Sequence, residues 1–72
     1  MDISKEVLER IRAEFPIGSR IELILMDDDP NPLPAGSRGT VRIVDDWGTI
    51  HVNWDSGRRL GLVYGVDIYK RI

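Results

Sequence analysis

The stretch TIHVNWDSGRRLGL, residues 49–62, places two short alternating segments on either side of a tight turn. Ile50, Val52 and Trp54 recur at every second position, which predicts a β-strand with one apolar face. Residues 55–57, Asp–Ser–Gly, form the short glycine-containing loop that commonly joins two antiparallel strands. The stretch therefore predicts a β-hairpin with Trp54 at the core edge of its first strand.

Alternation in the flanking sequence predicts three further strands. Two of them lie before the hairpin, at residues 19–26 (SRIELILM) and 39–46 (GTVRIVDD). The third lies after it, at residues 68–72 (IYKRI). The inward positions predicted by alternation in these strands and in the second hairpin strand are Ile21, Leu23, Leu25, Val41, Ile43, Leu60 and Leu62.

The first fifteen residues predict one amphipathic helix. Its apolar side chains recur at helical spacing and are Ile3, Val7, Leu8, Ile11 and Phe15. Asp2 or Ser4 is suited to the N-cap, and Pro16 disfavours helical backbone at the residue before it. The apolar stripe could bind a partner, but we expect it to pack on the rest of this small domain.

Together these elements predict a mainly β fold, a small five-stranded Src-homology-3-like barrel preceded by one N-terminal amphipathic α-helix. We expect a single domain over residues 1–72, with the helix at 1–15 and the barrel at 19–72. Five short strands cannot form two sheets that cover one another, whereas closure into a strongly bent barrel buries one face and removes most exposed edges. The proline-rich loop at 27–37, the tight later hairpins and the single turn before the last strand match that barrel type.

Composition argues against several functional classes. The chain of 72 residues has no cysteine, one histidine and a net charge of −2. Disulfides and cysteine-based zinc sites are therefore excluded, and no apolar run approaches the roughly 20 residues that span a bilayer. His51 is expected to be a surface residue, and the consecutive Asp45 and Asp46 should point apart. We expect a soluble, cytoplasmic, non-enzymatic domain with no cofactor and no metal.

Several blocks at fixed spacing resemble a known family. The pattern LILMDDDPNPLPAGSRGTV, then VDDWGTIHVNWDSG, then LGLVYGVD is similar to a small bacterial domain-of-unknown-function family found in Gram-positive genomes, phages and mobile elements. The resemblance spans essentially the whole chain and implies a standalone barrel module without catalytic residues. The sequence departs from the family pattern at Trp47, where an aliphatic residue is more usual, and at Tyr64, where proline is common.

The favoured hypothesis is a protein- or peptide-binding module. Small barrels of this type bind partners between the long first loop and the later turns, here 27–37, 45–48 and 64–67. Acidic residues beside exposed aromatic rings suit a basic peptide with apolar anchors. The predicted binding residues are Asp27, Asp28, Asp29, Asp46, Trp47 and Tyr64.

The alternative is a weak nucleic-acid-binding barrel. Residues 38–72 carry six Lys and Arg against four Asp, so a basic face could exist within an acidic whole. The predicted residues for this function are Arg38, Arg42, Arg58 and Arg59, with Trp54 or Trp47 as a stacking platform. However, Arg58 and Arg59 are strand neighbours that point to opposite faces, so we expect weak binding without sequence preference. We expect no membrane partner and a monomer or weak homodimer.

Overall fold

A computed structural model describes residues 3–26 and 30–72 of the chain. It contains one helix and five strands, which confirms the predicted mainly β composition. The elements in chain order are α1 (Lys5–Glu14), β1 (Arg20–Leu25), β2 (Arg38–Val44), β3 (Ile50–Trp54), β4 (Arg59–Leu62) and β5 (Ile68–Arg71). Within the described ranges, no helix combines the length and apolar character required to cross a membrane.

Both ends of α1 follow from its sequence. The Ser4 side-chain oxygen accepts a hydrogen bond from the Val7 backbone N–H at 3.2 Å, which makes Ser4 the N-cap. At the other end, the Phe15 N–H donates to the Ile11 carbonyl before Pro16 begins the next segment. Ile11 and Phe15 are buried, so the apolar stripe packs on this domain, as predicted.

The five strands form one antiparallel sheet in the order β4-β3-β2-β1-β5. β1 therefore pairs with both β2 and the last strand, although β5 follows it by more than forty positions in the chain. In the described residues β4 and β5 are the two sheet edges and do not pair with each other. The predicted closure of the strands into a barrel is therefore not made by strand hydrogen bonds.

Two irregularities explain which inward positions were predicted wrongly. The register shifts between Leu23 and Leu25 in the β1–β5 pairing, and again along β2 in its pairing with β3. A bulge adds one residue to one strand and so moves the following side chains to the opposite face. Leu25 is consequently 52% exposed, whereas Met26 is 8% exposed.

The same displacement occurs on β2. Ile43, predicted to face inward, is 46% exposed, and Val44 takes the buried place at 5%. The other predicted inward strand residues lie in or against the core. The buried apolar residues are Ile11, Phe15, Ile21, Leu23, Met26, Leu33, Val41, Val44, Ile50, Val52, Trp54 and Leu62, with Leu60 and Tyr69 packed against them.

Candidate functional site

An open groove lies between the N-terminal end of α1, the turn at residues 45–49 and the residues that follow β4. Its volume is about 430 Å³. Two large aromatic side chains on its walls remain accessible: Trp47 is 65% exposed and Tyr64 is 50% exposed. We call this feature the aromatic groove; it is lined by Ile3, Ser4, Val7, Trp47, Thr49, Val63 and Tyr64.

The turn that carries Trp47, residues 45–49 or the β2–β3 turn, is organised by one carboxylate. Asp45 Oδ1 accepts hydrogen bonds from the backbone N–H groups of Trp47 at 2.9 Å and Thr49 at 3.0 Å. The backbone of the turn adds a bond from the Gly48 N–H to the Asp45 carbonyl at 3.0 Å. The Trp47 backbone is therefore fixed by hydrogen bonds although its ring faces solvent.

The second oxygen of the same carboxylate contacts the only histidine of the chain. Asp45 Oδ2 lies 2.8 Å from His51 Nε2, and both side chains are about one-third exposed. Partial burial acts to raise the pKa of Asp45, but the hydrogen bonds from His51, Thr49 and Trp47 outweigh it and lower the pKa. The ionised form of Asp45 is thus the one that stabilises this turn.

The helix is attached to the same turn from the other side. Arg12 donates to the Val44 carbonyl at 3.1 Å and to Asp46 Oδ1 at 2.9 Å. Gly48 has a φ of 80°, and a Cβ at this position would come within 2.5 Å of Ile3 Cδ1. Glycine is required there for its backbone conformation, and its lack of a side chain makes room for Ile3.

Tyr64 lies on the opposite wall, in residues 63–67, which form the β4–β5 connection. The Asp67 carboxylate accepts a hydrogen bond from the Val63 N–H at 2.8 Å, and the Val63 carbonyl accepts from the N–H groups of Val66 and Asp67 at 3.1 Å. Asp67 is 9% exposed. A buried carboxylate therefore closes this connection much as Asp45 closes the β2–β3 turn.

A second, smaller pocket continues the aromatic groove along α1. It measures about 250 Å³ and shares Val7 and Tyr64 with the first. We call it the helix-side pocket; it is lined by Val7, Arg10, Ile11, Glu14, Phe15, Tyr64 and Tyr69. Phe15 and Tyr69 pack edge to face with ring centroids 5.4 Å apart.

Electrostatics distinguish the helix-side pocket from its neighbour. Burial raises the pKa of the Tyr69 hydroxyl, and the charges of Asp67 and Glu14 raise it further, with a smaller contribution from Tyr64. The carboxylates of Asp67 and Glu14 are therefore both close enough to this hydroxyl to disfavour its ionisation, and Arg10 adds a positive charge to the lining of the pocket. The aromatic groove, by contrast, has only uncharged residues on its walls.

The predicted peptide-binding residues are only partly brought together. Trp47 and Tyr64 line one groove, as their positions in turns suggested. Asp46 is not among the lining residues and pairs with Arg12. Asp27, Asp28 and Asp29 lie outside the described residues.

The predicted nucleic-acid-binding arginines have separate environments. Arg38 pairs with Glu22 at 2.9 Å, and Arg58, which lies just before β4, donates to the Asn31 carbonyl at 2.8 Å. Arg42 and Arg59 are exposed. Trp54 is 3% exposed, so its ring is not accessible for stacking on a base.

Sequence reasoning missed one wall of the aromatic groove and two residues of the helix-side pocket. Ile3 and Val7 were expected to pack on the domain, with partner binding by the helix stripe as the alternative, and neither was named as part of a groove with Trp47 and Tyr64. Glu14 and Tyr69 gave no functional signal, because only the fold brings them together. Among residues 3–26 and 30–72, no group of three or more His, Asp or Glu side chains is placed to hold a metal ion.

Comparison with known proteins identifies the family. No curated protein and no solved structure matches the chain significantly. A family model described as "Domain of unknown function (DUF4314)" matches residues 4–72, which include α1 and all five strands. On that match, the chain belongs to the DUF4314 family of domains of unknown function.

Proposed function

We propose that the protein is a non-enzymatic interaction module that binds a short segment of a partner protein in the aromatic groove. One observation carries the proposal: two exposed aromatic rings on separate turns, Trp47 and Tyr64, line the same open groove beside α1. Tryptophan and tyrosine are the residues most often found at the energetic centre of protein interfaces.

The physical argument is that these rings have apolar surface left to bury. Val63, which is 45% exposed, lines the groove together with Tyr64 and extends this apolar surface. Contiguous exposed apolar surface on a small domain is typical of an interaction site. The groove volume of about 430 Å³ also lies in the range of pockets that enclose a ligand group.

The backbones that hold the rings are already ordered in the free protein. Asp45 fixes the β2–β3 turn and Asp67 fixes the β4–β5 connection, each through hydrogen bonds to backbone N–H groups. A preformed site loses less conformational entropy on binding than a flexible one, so more of the contact energy is retained as affinity.

Two finer interpretations belong to the same proposal. The first is a partly open Src-homology-3-like barrel, which is supported by the pairing of β1 with both β2 and the last strand β5 and by the bulges in β1 and β2. The second is the bacterial, phage or mobile-element setting implied by the sequence resemblance.

Nucleic acid is the competing partner, and charge argues against it. Most of the affinity for nucleic acid comes from neutralising phosphates. The net charge is −2, and Arg38 and Arg20 are already paired with Glu22 and Asp55. We therefore expect no sub-micromolar nucleic-acid complex at about 150 mM salt.

The test compares the wild-type protein with the double variant Trp47→Ala/Tyr64→Ala. Each is used to purify partners from cells that express the protein, with and without nuclease treatment. The bound segment of a captured partner is then synthesised and titrated into the purified protein. We expect that peptide to shift the indole N–H resonance of Trp47 and to leave that of Trp54, which donates to the Leu60 carbonyl, unchanged.

Ile17→Ala supplies the matched control, because Ile17 is 75% exposed but lies outside the aromatic groove. The double variant should lose the partner, and Ile17→Ala should retain it. A partner retained by the double variant contradicts the proposed site. A partner lost on nuclease treatment contradicts the proposed class of ligand.

A further inference from the structure

The helix-side pocket has a chemical character that narrows the choice of partner. Its walls include three aromatic rings and the carboxylate of Glu14. Glu14 makes no ion pair within the described residues, although its backbone carbonyl accepts a hydrogen bond from Arg71 at 3.4 Å. An unpaired carboxylate beside aromatic faces favours a cation whose alkyl stem packs on the rings.

Two carboxylates act on the Tyr69 hydroxyl in the wall of this pocket. Asp67 and Glu14 both act on the Tyr69 hydroxyl and disfavour its ionisation. Asp67 is committed to the Val63 N–H, so it contributes charge from a fixed position. Arg10 lies on the same wall of the pocket but makes no ion pair with Glu14.

We propose that the helix-side pocket binds the side chain of a lysine or arginine, so that the partner segment carries one apolar and one basic anchor. The apolar anchor occupies the aromatic groove, and Tyr64 and Val7 separate the two. This inference rests on the proposed function, because the basic anchor adds to the aromatic groove and does not replace it.

The helix sets the spacing of the two anchors. The aromatic groove uses Ile3, Ser4 and Val7, and the helix-side pocket uses Val7, Arg10, Ile11 and Glu14. With a rise of 1.5 Å per residue, the two sets are centred roughly 9 Å apart along α1. An extended chain advances about 3.3 Å per residue, so the anchors should lie about three residues apart in the partner.

The test is selection of binders from a display library of random peptides about twelve residues long. The wild-type protein is the bait, and peptides that also bind Trp47→Ala/Tyr64→Ala are discarded. We expect the selected peptides to contain a bulky apolar residue and, about three positions away, a lysine or arginine. Replacing that lysine by the neutral isostere norleucine should weaken binding roughly threefold to tenfold.

A charge-matched pair of protein variants then locates the basic anchor. Glu14→Gln should weaken the selected peptide roughly threefold to tenfold and should have little further effect on the norleucine peptide. Glu9→Gln makes the same charge change on an exposed part of α1 outside both pockets and should leave binding unchanged. Amide spectra of both variants establish that each is folded.

The outcomes separate this inference from the proposed function. Selected peptides without an enriched basic residue, or equal effects of Glu14→Gln and Glu9→Gln, overturn the basic anchor and leave the aromatic groove in place. Failure to select any peptide that depends on Trp47 and Tyr64 overturns the proposed function itself.

Discussion

The two tryptophans of this chain lie close together in sequence and in opposite environments. Trp54, at the end of β3, is 3% exposed, and its indole N–H donates to the Leu60 carbonyl at 3.0 Å. Trp47, in the β2–β3 turn, is 65% exposed, and its hydrogen bond to Asp45 uses only the backbone. The comparison shows that backbone context, rather than residue type, decides which ring packs in the core and which remains exposed.

The position of each tryptophan depends on a different neighbouring residue. Gly39 is the strand partner of Trp54, and its missing side chain lets β2 approach β3 closely. Asp45 has the corresponding role for Trp47, because its carboxylate accepts hydrogen bonds from two backbone N–H groups of the turn. Substitutions at these positions test whether the buried end of β3 contributes more to the free energy of unfolding than the exposed β2–β3 turn does.

The largest effect is expected from Trp54→Ala. Removing a buried tryptophan costs about 3–5 kcal/mol, a large part of the stability of a small domain. Trp47→Ala, by contrast, should change the free energy of unfolding by less than about 0.5 kcal/mol, as is usual for exposed positions. Urea denaturation followed by circular dichroism measures both. A comparable loss of stability in the two variants would break the comparison.

The next largest effect is expected from Gly39→Ala. A Cβ at this position would lie 2.5 Å from Val52 Cγ1, 2.8 Å from the Asn53 carbonyl oxygen and 3.0 Å from Trp54 Cα, so two backbone atoms must move. We expect a loss of about 2–3 kcal/mol in the free energy of unfolding.

Gly57→Ala is the control for Gly39→Ala. Gly57 has a φ of 93°, but a Cβ there meets no atom within 4 Å. Only backbone strain is introduced, at a cost of about 1 kcal/mol. If thermal denaturation gives the same loss for both variants, crowding of β2 against β3 is not what positions Trp54.

A smaller effect, which depends on pH, is expected from Asp45→Ala. Loss of the acceptor for two backbone N–H groups and His51 should cost about 1–2 kcal/mol at neutral pH. Because the folded protein lowers the pKa of Asp45, this stabilisation is complete above the unfolded-state pKa and is lost as pH falls through the lower folded value.

The gap in stability between wild type and Asp45→Ala should therefore close in acid. Other carboxylates weaken the wild type there as well: a hydrogen bond from Arg38 lowers the pKa of Glu22, and one from Arg20 lowers that of Asp55. For that reason the difference between the two proteins, measured by denaturation at neutral and at acidic pH, isolates Asp45. A gap that is constant with pH would show that the charge of Asp45 is irrelevant to the turn.

The smallest effect is expected from Asp55→Asn, next to Trp54. The Arg20–Asp55 pair has a short contact of 2.6 Å, but both side chains are more than 40% exposed. Exposed ion pairs are screened by salt and contribute little to stability. The denaturation midpoint at about 150 mM salt should stay within experimental error of the wild type. A clear loss that persists in high salt would mean that the strand end depends on this pair.

The sequence was sufficient to predict the secondary-structure elements and the buried face of β3. Alternation located all five strands, Ser4 was one of two candidates for the helix N-cap, and Trp54 was correctly assigned to the core edge. Alternation failed at Leu25 and Ile43, because it assumes an unbroken register and the bulges in β1 and β2 interrupt it. Nothing local in those segments marks the extra residue.

The candidate site was only partly predictable, for a different reason. Trp47 and Tyr64 could be proposed as exposed because they lie in turns, and Asp45 and Asp46 could be expected to diverge. The contact between Asp45 and His51, and the meeting of Glu14 with Tyr69, depend on side chains from different elements. Such meetings follow from the packing of α1 on the sheet, which local sequence patterns do not specify.

The construction of the aromatic groove from two distant parts of the chain has a thermodynamic consequence. Ile3, Ser4 and Val7 supply one wall, and Trp47, Thr49, Val63 and Tyr64 supply the rest. The groove is therefore complete only while α1 is docked on the β2–β3 turn. A partner that binds there selects the docked state and adds RT ln(1 + [L]/Kd) to its stability, about 2.7 kcal/mol at a hundredfold excess over Kd. Occupancy of the groove should therefore slow amide hydrogen exchange throughout α1, including residues that the partner never touches.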